Sequence, residues 1–207
     1  MALAVGNLGG RLLWSSVSDK IGRRNTFHLL TLSSIPLYLS MPFLVEHAID
    51  AQSSLAVYGF VGASAAAVSI MGAVYACLPA YEADLFGPKF VGAIHGRTLL
   101  ASSAAALGGP SLFLQLRKQE QAKMVDDLLP QIDPATFQET FHASIAEAKD
   151  LVASKAVTLA DLAALTPAND PSPYVYHPTL YTLAALATAA SLTHYALRPV
   201  STKYFQK

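Results

Sequence analysis

The residues of this chain that could do chemistry are two arginines and two carboxylates beside long apolar runs. Arg11 is the only charged residue among residues 1–17, and Arg97 stands directly before an uncharged run. A guanidinium stays charged inside a membrane protein and binds a carboxylate through two parallel hydrogen bonds, so both arginines favour a small carboxylate anion as ligand. Glu82 and Asp84 are carboxylates that can change protonation near a membrane pathway, which makes them candidates for proton coupling.

Simpler roles stay open for all four residues. Arg11 precedes Asp19 by eight residues, about 12 Å at helical rise, which would place it toward one end of its helix. Arg97 begins its helix and could extend its charged group to the membrane interface. Glu82 and Asp84 could lie at the membrane surface beside neighbouring basic residues.

The composition is typical of a membrane protein. The chain has 207 residues, of which 53% are apolar and 14% are charged, whereas an ordinary soluble domain has about 25% charged residues. The formal net charge of zero excludes a general nucleic-acid-binding surface. The sequence has no Ser/His/Asp set, no HExxH motif and no Cys/His cluster with ligand spacing, so we expect no enzyme, no metal site and no cofactor.

Four uncharged runs are long enough to cross the apolar core of a bilayer, which needs about 20 helical residues. They cover residues 26–45, 54–80, 98–116 and 178–197. A fifth segment, residues 1–17, is shorter and contains Arg11. It predicts the last part of a helix whose beginning is missing, or else a short re-entrant or interfacial segment. The fold class is therefore an all-α membrane protein with four full transmembrane helices and a partial one.

A polar insert divides the chain into three parts. Residues 1–116 hold the partial helix and three spans, residues 117–173 form the insert, and residues 174–207 hold the last span and a tail. Within the insert, Asp133-Pro134 predicts a helix start. The apolar residues of 137–152 recur at helical spacing and predict one helix. Thr158 to Asp161 matches a capping box, which predicts a second short helix through Leu165.

Basic residues fall in alternate links between the spans. The link after the first segment carries three of them, the next link carries none, and the chain ends in a basic tail. Because basic links tend to stay in the cytoplasm, this pattern places the C-terminus in the cytoplasm and residues 117–173 on the extracytoplasmic side. The lipid bilayer of the plasma membrane or of an organelle is thus the first expected partner.

The most specific pattern in the sequence is the charged loop Asp19-Lys20-Ile21-Gly22-Arg23-Arg24. Asp19 can pair with an arginine or accept hydrogen bonds from a helix N-terminus. Gly22 permits a tight turn that lets the next helix start at once. Arg23 and Arg24 would hold the loop in the cytoplasm, and a plain topology anchor is the simplest role for it.

This loop resembles the signature loop of the major facilitator superfamily, which reads Gly-x-x-x-Asp-Arg/Lys-x-Gly-Arg-Arg/Lys. The match runs from Asp19 to Arg24, whereas Ser15 stands where the pattern has its first glycine. Residues 79–96, 108–110 and 197–205 resemble parts of the oxalate/formate antiporter family. On this alignment the chain runs from within helix eight to the end of helix twelve of such a transporter, with the insert outside the resemblance.

The resemblance implies secondary active transport by alternating access between two helical bundles. In the superfamily the loop is thought to latch the bundles in one conformational state, which implies a latch role for Asp19, Lys20, Gly22, Arg23 and Arg24. Basic residues would hold a small organic anion, a monocarboxylate or a dicarboxylate, and Arg11 and Arg97 are the candidates. The middle of residues 98–116 contains no lysine or arginine, which argues against an oxalate-like dianion.

Two functional hypotheses follow. In the first, the chain is the C-terminal part of a transporter, and its partners are the anionic substrate and an N-terminal helical bundle that lies outside this sequence. The alternative is a non-transporting membrane subunit, or a truncated transporter-like protein, that binds a partner through its insert. One bundle cannot enclose a site between two, so the missing bundle favours the alternative, in which another membrane subunit is the partner.

Overall fold

The structure is a computed structural model that describes residues 1–167, 169–198 and 200. These residues form α-helices joined by short turns and 3-10 segments, without a β-strand, which confirms the all-α prediction. The helices are α1 (Ala2–Ile21), α2 (Arg23–Asp50), α3 (Ser54–Phe86), α4 (Val91–Leu128), α5 (Pro134–Phe141), α6 (Ala148–Ala153), α7 (Leu159–Ala163) and α8 (His177–Ala196). The chain forms two compact units, which we call the first unit (Met1–Leu107 with Leu180–Lys207) and the second unit (Gly108–Thr179).

Three helical stretches of the described chain are long and apolar enough to cross a membrane. They are α2, α3 and the stretch Pro88–Gln131 that contains α4, and they indicate a membrane protein. The fourth predicted span, residues 178–197, does form a helix, α8. Its most apolar stretch is less hydrophobic than those of the other three, so the prediction of four complete spans is confirmed for three of them.

The first segment is one uninterrupted helix, α1, of 20 residues that includes Arg11. It packs closely against α3 because glycines remove the side chains between the two backbones. A Cβ atom at Gly10 would overlap the backbone of Ser69, and a Cβ atom at Gly6 would lie 2.6 Å from the carbonyl oxygen of Ala65. Small residues permit such close helix contact where lipid supplies no hydrophobic driving force.

The boundaries of these helices follow from local chemistry. Gly22 and Gly87 end α1 and α3 at φ +87° and +86°, a backbone region that only glycine adopts without strain. Ser53 caps the start of α3, since its side-chain oxygen accepts a hydrogen bond from the N–H of Ala56. Charged residues lie only near the ends of α2 and in the last turns of α3, so both helices have long uncharged middles, and the turn at Gly22 and the cap at Ser53 keep the connections before them short.

The third predicted span continues well beyond its expected end. Sequence analysis ends it at residue 116, whereas α4 runs without a break from Val91 to Leu128. Residues 117–128 are rich in charged side chains, unlike the apolar residues before them, but glutamine, lysine, glutamate and leucine are good helix formers. A change in polarity therefore does not end the helix, and the predicted boundary between the spans and the insert falls inside α4.

In the second unit, one predicted helix is replaced by three shorter segments. Asp133 caps α5 as expected, with its side chain accepting a hydrogen bond from the N–H of Thr136. The single helix predicted over residues 137–152 is wrong. His142 adopts a left-handed conformation at φ +53° and ends α5, and Ser144 caps a 3-10 segment that leads into α6. The apolar residues of this stretch still share one core, which is why they match a helical stripe in the sequence.

The core of the second unit is of the kind found in soluble proteins. Phe137, Leu162 and Val125 are almost fully buried among other apolar side chains. Thr158 and Asp161 form the predicted capping box, although α7 ends at Ala163 and not at Leu165. Hydrogen bonds from the Thr158 side chain and backbone lower the pKa of Asp161 below its usual value, as those from Thr136 lower the pKa of Asp133.

Candidate functional site

The charged loop between α1 and α2 is the starting point of the candidate site. Gly22 is the only residue between the two helices, and its N–H donates to the carbonyl oxygen of Ser18 at 3.0 Å. The tight turn predicted at Gly22 is thus present. It places Asp19 in the last turn of α1 and Arg23 in the first turn of α2, four residues apart along the chain.

Arg23 connects three helices. Its Nη1 lies 3.0 Å from Oδ2 of Asp84 on α3, and its Nη2 lies 3.4 Å from Oδ1 of Asp19 on α1. The side chains of Asp19 and Asp84 are 70% and 51% exposed, so solvent weakens both ion pairs to about 0–1 kcal/mol each. The contact can therefore break and re-form at little cost in free energy.

Arg24 extends the same set of contacts to α8. Its Nη2 donates to the carbonyl oxygen of Leu197 at 3.2 Å, just beyond the end of that helix. A small cavity of about 250 Å³ lies beside these residues, and it is lined by Gly22, Arg23, Arg24, Asn25, Tyr81, Asp84 and Leu85. Two positive charges and one carboxylate therefore line one concave surface at this end of the first unit.

Next to this cavity, a hydrogen-bonded chain joins α2, α3 and α8. Tyr81 Oη lies 2.8 Å from Nε2 of His194, and Nδ1 of His194 lies 3.0 Å from Nδ1 of His28. Phe27 stacks on Tyr81 with ring centroids 4.6 Å apart. A bond between two imidazole nitrogens needs one N–H and one bare nitrogen, so one of the two histidines donates in this bond and the other accepts.

A second titratable pair lies between α3 and α4. Oε2 of Glu82 is 2.8 Å from Nδ1 of His95, and the Glu82 side chain is only 5% exposed. The other carboxylate oxygen, Oε1, is buried and has no hydrogen-bond partner among the described residues. A buried carboxylate with one unsatisfied oxygen is costly unless it binds a proton or another donor.

The two arginines predicted to bind substrate lie apart from this network. Arg11 is exposed on α1, where its Nε donates to Oδ1 of Asn7 at 3.1 Å, and Arg97 is exposed on α4. In the part of the chain that the structure describes, no hydrogen bond or ion pair joins either arginine to the charged loop. Lys20 of the loop is exposed as well.

Sequence analysis missed the histidines as members of the site, and with them the bond between Tyr81 and His194. It assigned the histidines no role because they lack metal-ligand spacing, and their partners lie 113 and 166 residues away along the chain. One signal was available for His194. It is the only histidine inside the run 178–197, and an ionisable residue within a predicted span is by default a candidate functional residue.

Comparisons with known proteins do not assign the chain to a family. No protein-family model, no curated protein and no solved structure matches the chain.

Proposed function

We propose that this chain is part of a secondary transporter that moves small organic anions across a membrane by alternating access, with Arg23 at the centre of its conformational latch. The observation that carries the proposal is the double contact of Arg23 with Asp19 and Asp84. Arg23 belongs to a loop that resembles the major facilitator signature, and its two contacts join α1, α2 and α3 at one end of the first unit.

The strength of these contacts suits a latch. Alternating conformations of a transporter differ by only a few kcal/mol, and each exposed ion pair contributes about 0–1 kcal/mol. Two such pairs, with the bond from Arg24 to the carbonyl oxygen of Leu197, bias the equilibrium without locking it. The glycine contacts between α1 and α3 keep these helices together as one moving body.

Arg11 is the residue best placed to hold a carboxylate. Its Nε is occupied by Asn7, which orients the guanidinium, and its two terminal nitrogens have no partner among the described residues. A planar guanidinium presented in this way binds a carboxylate through two parallel hydrogen bonds. Arg97 provides a second positive charge on α4, and we keep it as the weaker candidate because no described contact orients it.

Of the two candidate carboxylates, the proposal assigns proton coupling to Glu82 and not to Asp84. Glu82 is buried beside His95 with one oxygen unsatisfied, whereas Asp84 is half exposed and paired with Arg23. Within the proposal, Glu82 carries the proton and Asp84 belongs to the latch.

The remaining parts of the proposal concern architecture and orientation. The first unit would contribute to the C-terminal bundle of a major facilitator fold, with α8 as its last span. A second bundle, from the rest of a longer protein or from another membrane subunit, would complete the substrate site. The C-terminus, whose residues 201–207 lie outside the described part of the chain, would be cytoplasmic, and residues 117–173 would be extracytoplasmic.

Uptake by native membranes tests the proposal. Membrane vesicles from cells that make the protein would be compared with vesicles from cells in which its gene is disrupted, using radiolabelled formate, lactate, succinate and oxalate. We expect faster uptake of at least one of these anions when the protein is present. Replacing the gene by an Arg23→Gln variant should lower that rate roughly fivefold, since two ion pairs of about 0–1 kcal/mol are lost.

A matched control is Lys123→Gln, which removes a positive charge from an exposed residue paired with Glu120 in the second unit and should leave uptake unchanged. Equal uptake of all four anions with and without the protein would overturn the transport proposal. That outcome would favour the non-transporting subunit, which could then be isolated with its membrane partner by cross-linking.

A further inference from the structure

Most of the positive charge of the second unit is gathered on one surface. Residues 117–173 contain five basic and nine acidic residues. Four of the five basic residues line two adjoining cavities, whereas none of the nine acidic residues does so. The basic four are Arg117 and Lys118 on α4 and Lys149 and Lys155 near α6. Nearly all basic side chains of this acidic segment therefore line the same two cavities.

The two cavities adjoin one another, since they share four lining residues, Arg117, Gln121, Val152 and Lys155, and we call the pair the groove. Their volumes are about 230 and 290 Å³, which is at or below the lower end of the range for small-molecule sites. Valine, leucine and alanine side chains supply most of the remaining walls. The groove therefore fits a small anionic group with an apolar neighbour, and not a large polar ligand.

Arg117 is held in place at the centre of the groove. Its guanidinium lies over the ring of Tyr176, 5.6 Å from the centroid, a distance at which the cation is attracted to the aromatic face. Its Nε atom is buried and has no hydrogen-bond partner among the described residues. The arginine is thus oriented by the protein while part of its donor capacity stays unused.

Lys155 occupies a backbone position that normally favours glycine. Its φ is +63°, in the left-handed region where non-glycine residues are uncommon. Its N–H bonds to the carbonyl oxygen of Val152 at the end of α6. A lysine at such a position costs backbone free energy that a glycine would avoid, and its side chain lines both cavities.

The charges of the groove are only partly neutralised. Lys149 forms an ion pair with Asp126, and the nearby carboxylates Asp161 and Asp170 are engaged by Thr158 and Ser172. Across the described residues, Arg117, Lys118 and Lys155 form no ion pair. Three cations without an ion-pair partner at one small groove favour the binding of an anion.

We propose that this groove binds the phosphate of an anionic phospholipid headgroup. The uncharged run 98–116 ends one residue before Arg117, and Leu114 and Lys118 line the same cavity. The groove therefore includes the point where α4 changes from apolar to charged, which is the level of the lipid headgroups for a spanning helix. Basic pockets at this level hold anionic headgroups on the cytoplasmic face of membranes, and the same attraction acts on either face of a bilayer that contains anionic lipid, so the inference does not depend on the orientation of residues 117–173. This inference does not depend on the transport proposal.

Lipid binding can be measured by native mass spectrometry of the full chain purified in detergent. The chain would be mixed with phosphatidylglycerol or, separately, with phosphatidylcholine of the same acyl chains. We expect retained adducts with phosphatidylglycerol and few with phosphatidylcholine. Arg117→Gln and Lys155→Gly should each reduce the phosphatidylglycerol adducts about tenfold, since each removes a charged hydrogen-bond donor.

Lys155→Gly separates binding from folding. Glycine adopts φ +63° freely, so this variant should keep or raise the thermal unfolding temperature while it loses lipid. Lys123→Gln is the matched control, because it removes one positive charge from the same unit outside the groove. Equal adduct loss in Lys155→Gly and Lys123→Gln, or equal binding of the two lipids, would overturn the proposal.

A soluble phosphate distinguishes the headgroup from a free anion. Glycerol 3-phosphate at millimolar concentration should compete weakly, because it lacks the acyl chains that the span-side wall of the groove would contact. Retention of glycerol 3-phosphate adducts without any phosphatidylglycerol adducts would show that the groove takes a free phosphate, and would overturn the lipid proposal.

Discussion

The two units place their polar and apolar side chains in opposite ways. In the first unit, Leu12, Leu13 and Leu100 are each at least 65% exposed, whereas Glu82 and His194 are buried. In the second unit, the buried side chains are apolar. Of the described residues, the six buried polar or charged ones, Ser18, Thr26, Ser34, Glu82, Ser191 and His194, all belong to the first unit.

The difference shows which solvent each unit is built for. Lipid solvates leucine on an outer surface, so a membrane bundle gains little from burying it and is held together by close backbone contact and polar bonds. Water does not, so the second unit buries Phe137 and Leu162 and caps its short helices. The same chain thus uses two sets of stabilising forces, and mutations can separate them.

The largest expected effect lies in the core of the second unit. Phe137→Ala should destabilise that unit by about 3–5 kcal/mol, because it leaves a cavity at a fully buried site. Phe43→Ala removes the same ring from α2, where it is 63% exposed, and should cost under about 0.5 kcal/mol in detergent. Hydrogen exchange resolved by segment measures both. Comparable losses of protection in the two variants would contradict the opposite placement of apolar side chains in the two units.

Backbone contact in the first unit gives the next effect. Gly10→Ala should destabilise the packing of α1 on α3 by about 1–3 kcal/mol, since the new methyl group meets the backbone of Ser69. Gly9→Ala introduces the same methyl group into open space one residue earlier. It should raise stability by up to about 1 kcal/mol through helix propensity. Thermal unfolding in detergent would reveal the opposite signs, and equal shifts would argue against close contact.

A smaller effect is expected at the capping box of the second unit. Thr158→Ala removes the cap of α7 and should cost about 1 kcal/mol.

The pKa of Asp161 lies below its usual value of 3.8. The stabilising contribution of the Asp161 carboxylate is therefore present above that pH and is lost as the pH falls through the folded-state pKa. Acid titration followed by circular dichroism should show this loss, and Asp161→Asn should remove it. An unchanged acid transition in Asp161→Asn would exclude this source of pH dependence.

The smallest effect on stability is expected at Arg23. Arg23→Gln should change the free energy of unfolding by about 0–1 kcal/mol, and added salt should reduce the difference further because both pairs are exposed. A loss above about 2 kcal/mol, measured in high salt, would show that Arg23 is a structural residue and not a reversible latch.

Local signals predicted the parts of the fold that depend on a few neighbouring residues. The Asp133 cap, the Thr158–Asp161 box and the turn at Gly22 each involve atoms within three or four residues, and all three are present. The single helix over 137–152 was wrong for a related reason. Periodicity gives no information on whether His142 adopts a left-handed conformation. The apolar side chains on either side of it still pack into one core.

The site depended on contacts that no local pattern contains. Arg23 and Asp84 are 61 residues apart, and His28 and His194 are 166 apart. The loop motif identified Asp19 and Arg23 but not Asp84 as the other end of the contact, which sequence analysis had placed in proton coupling. Arg117 and Lys155 were overlooked because the insert is acidic as a whole, and net charge does not show how charges are distributed in space.

The contact of Gly10 with Ser69 also restricts how this gene can evolve. Every amino acid reached from a glycine codon by changing one base carries a Cβ atom, so no missense step at Gly10 avoids the backbone of α3. Gly9, one codon away, faces open space and is free to drift to alanine or serine. Among sequences that descend from this one, the two adjacent codons should therefore record very different rates of substitution.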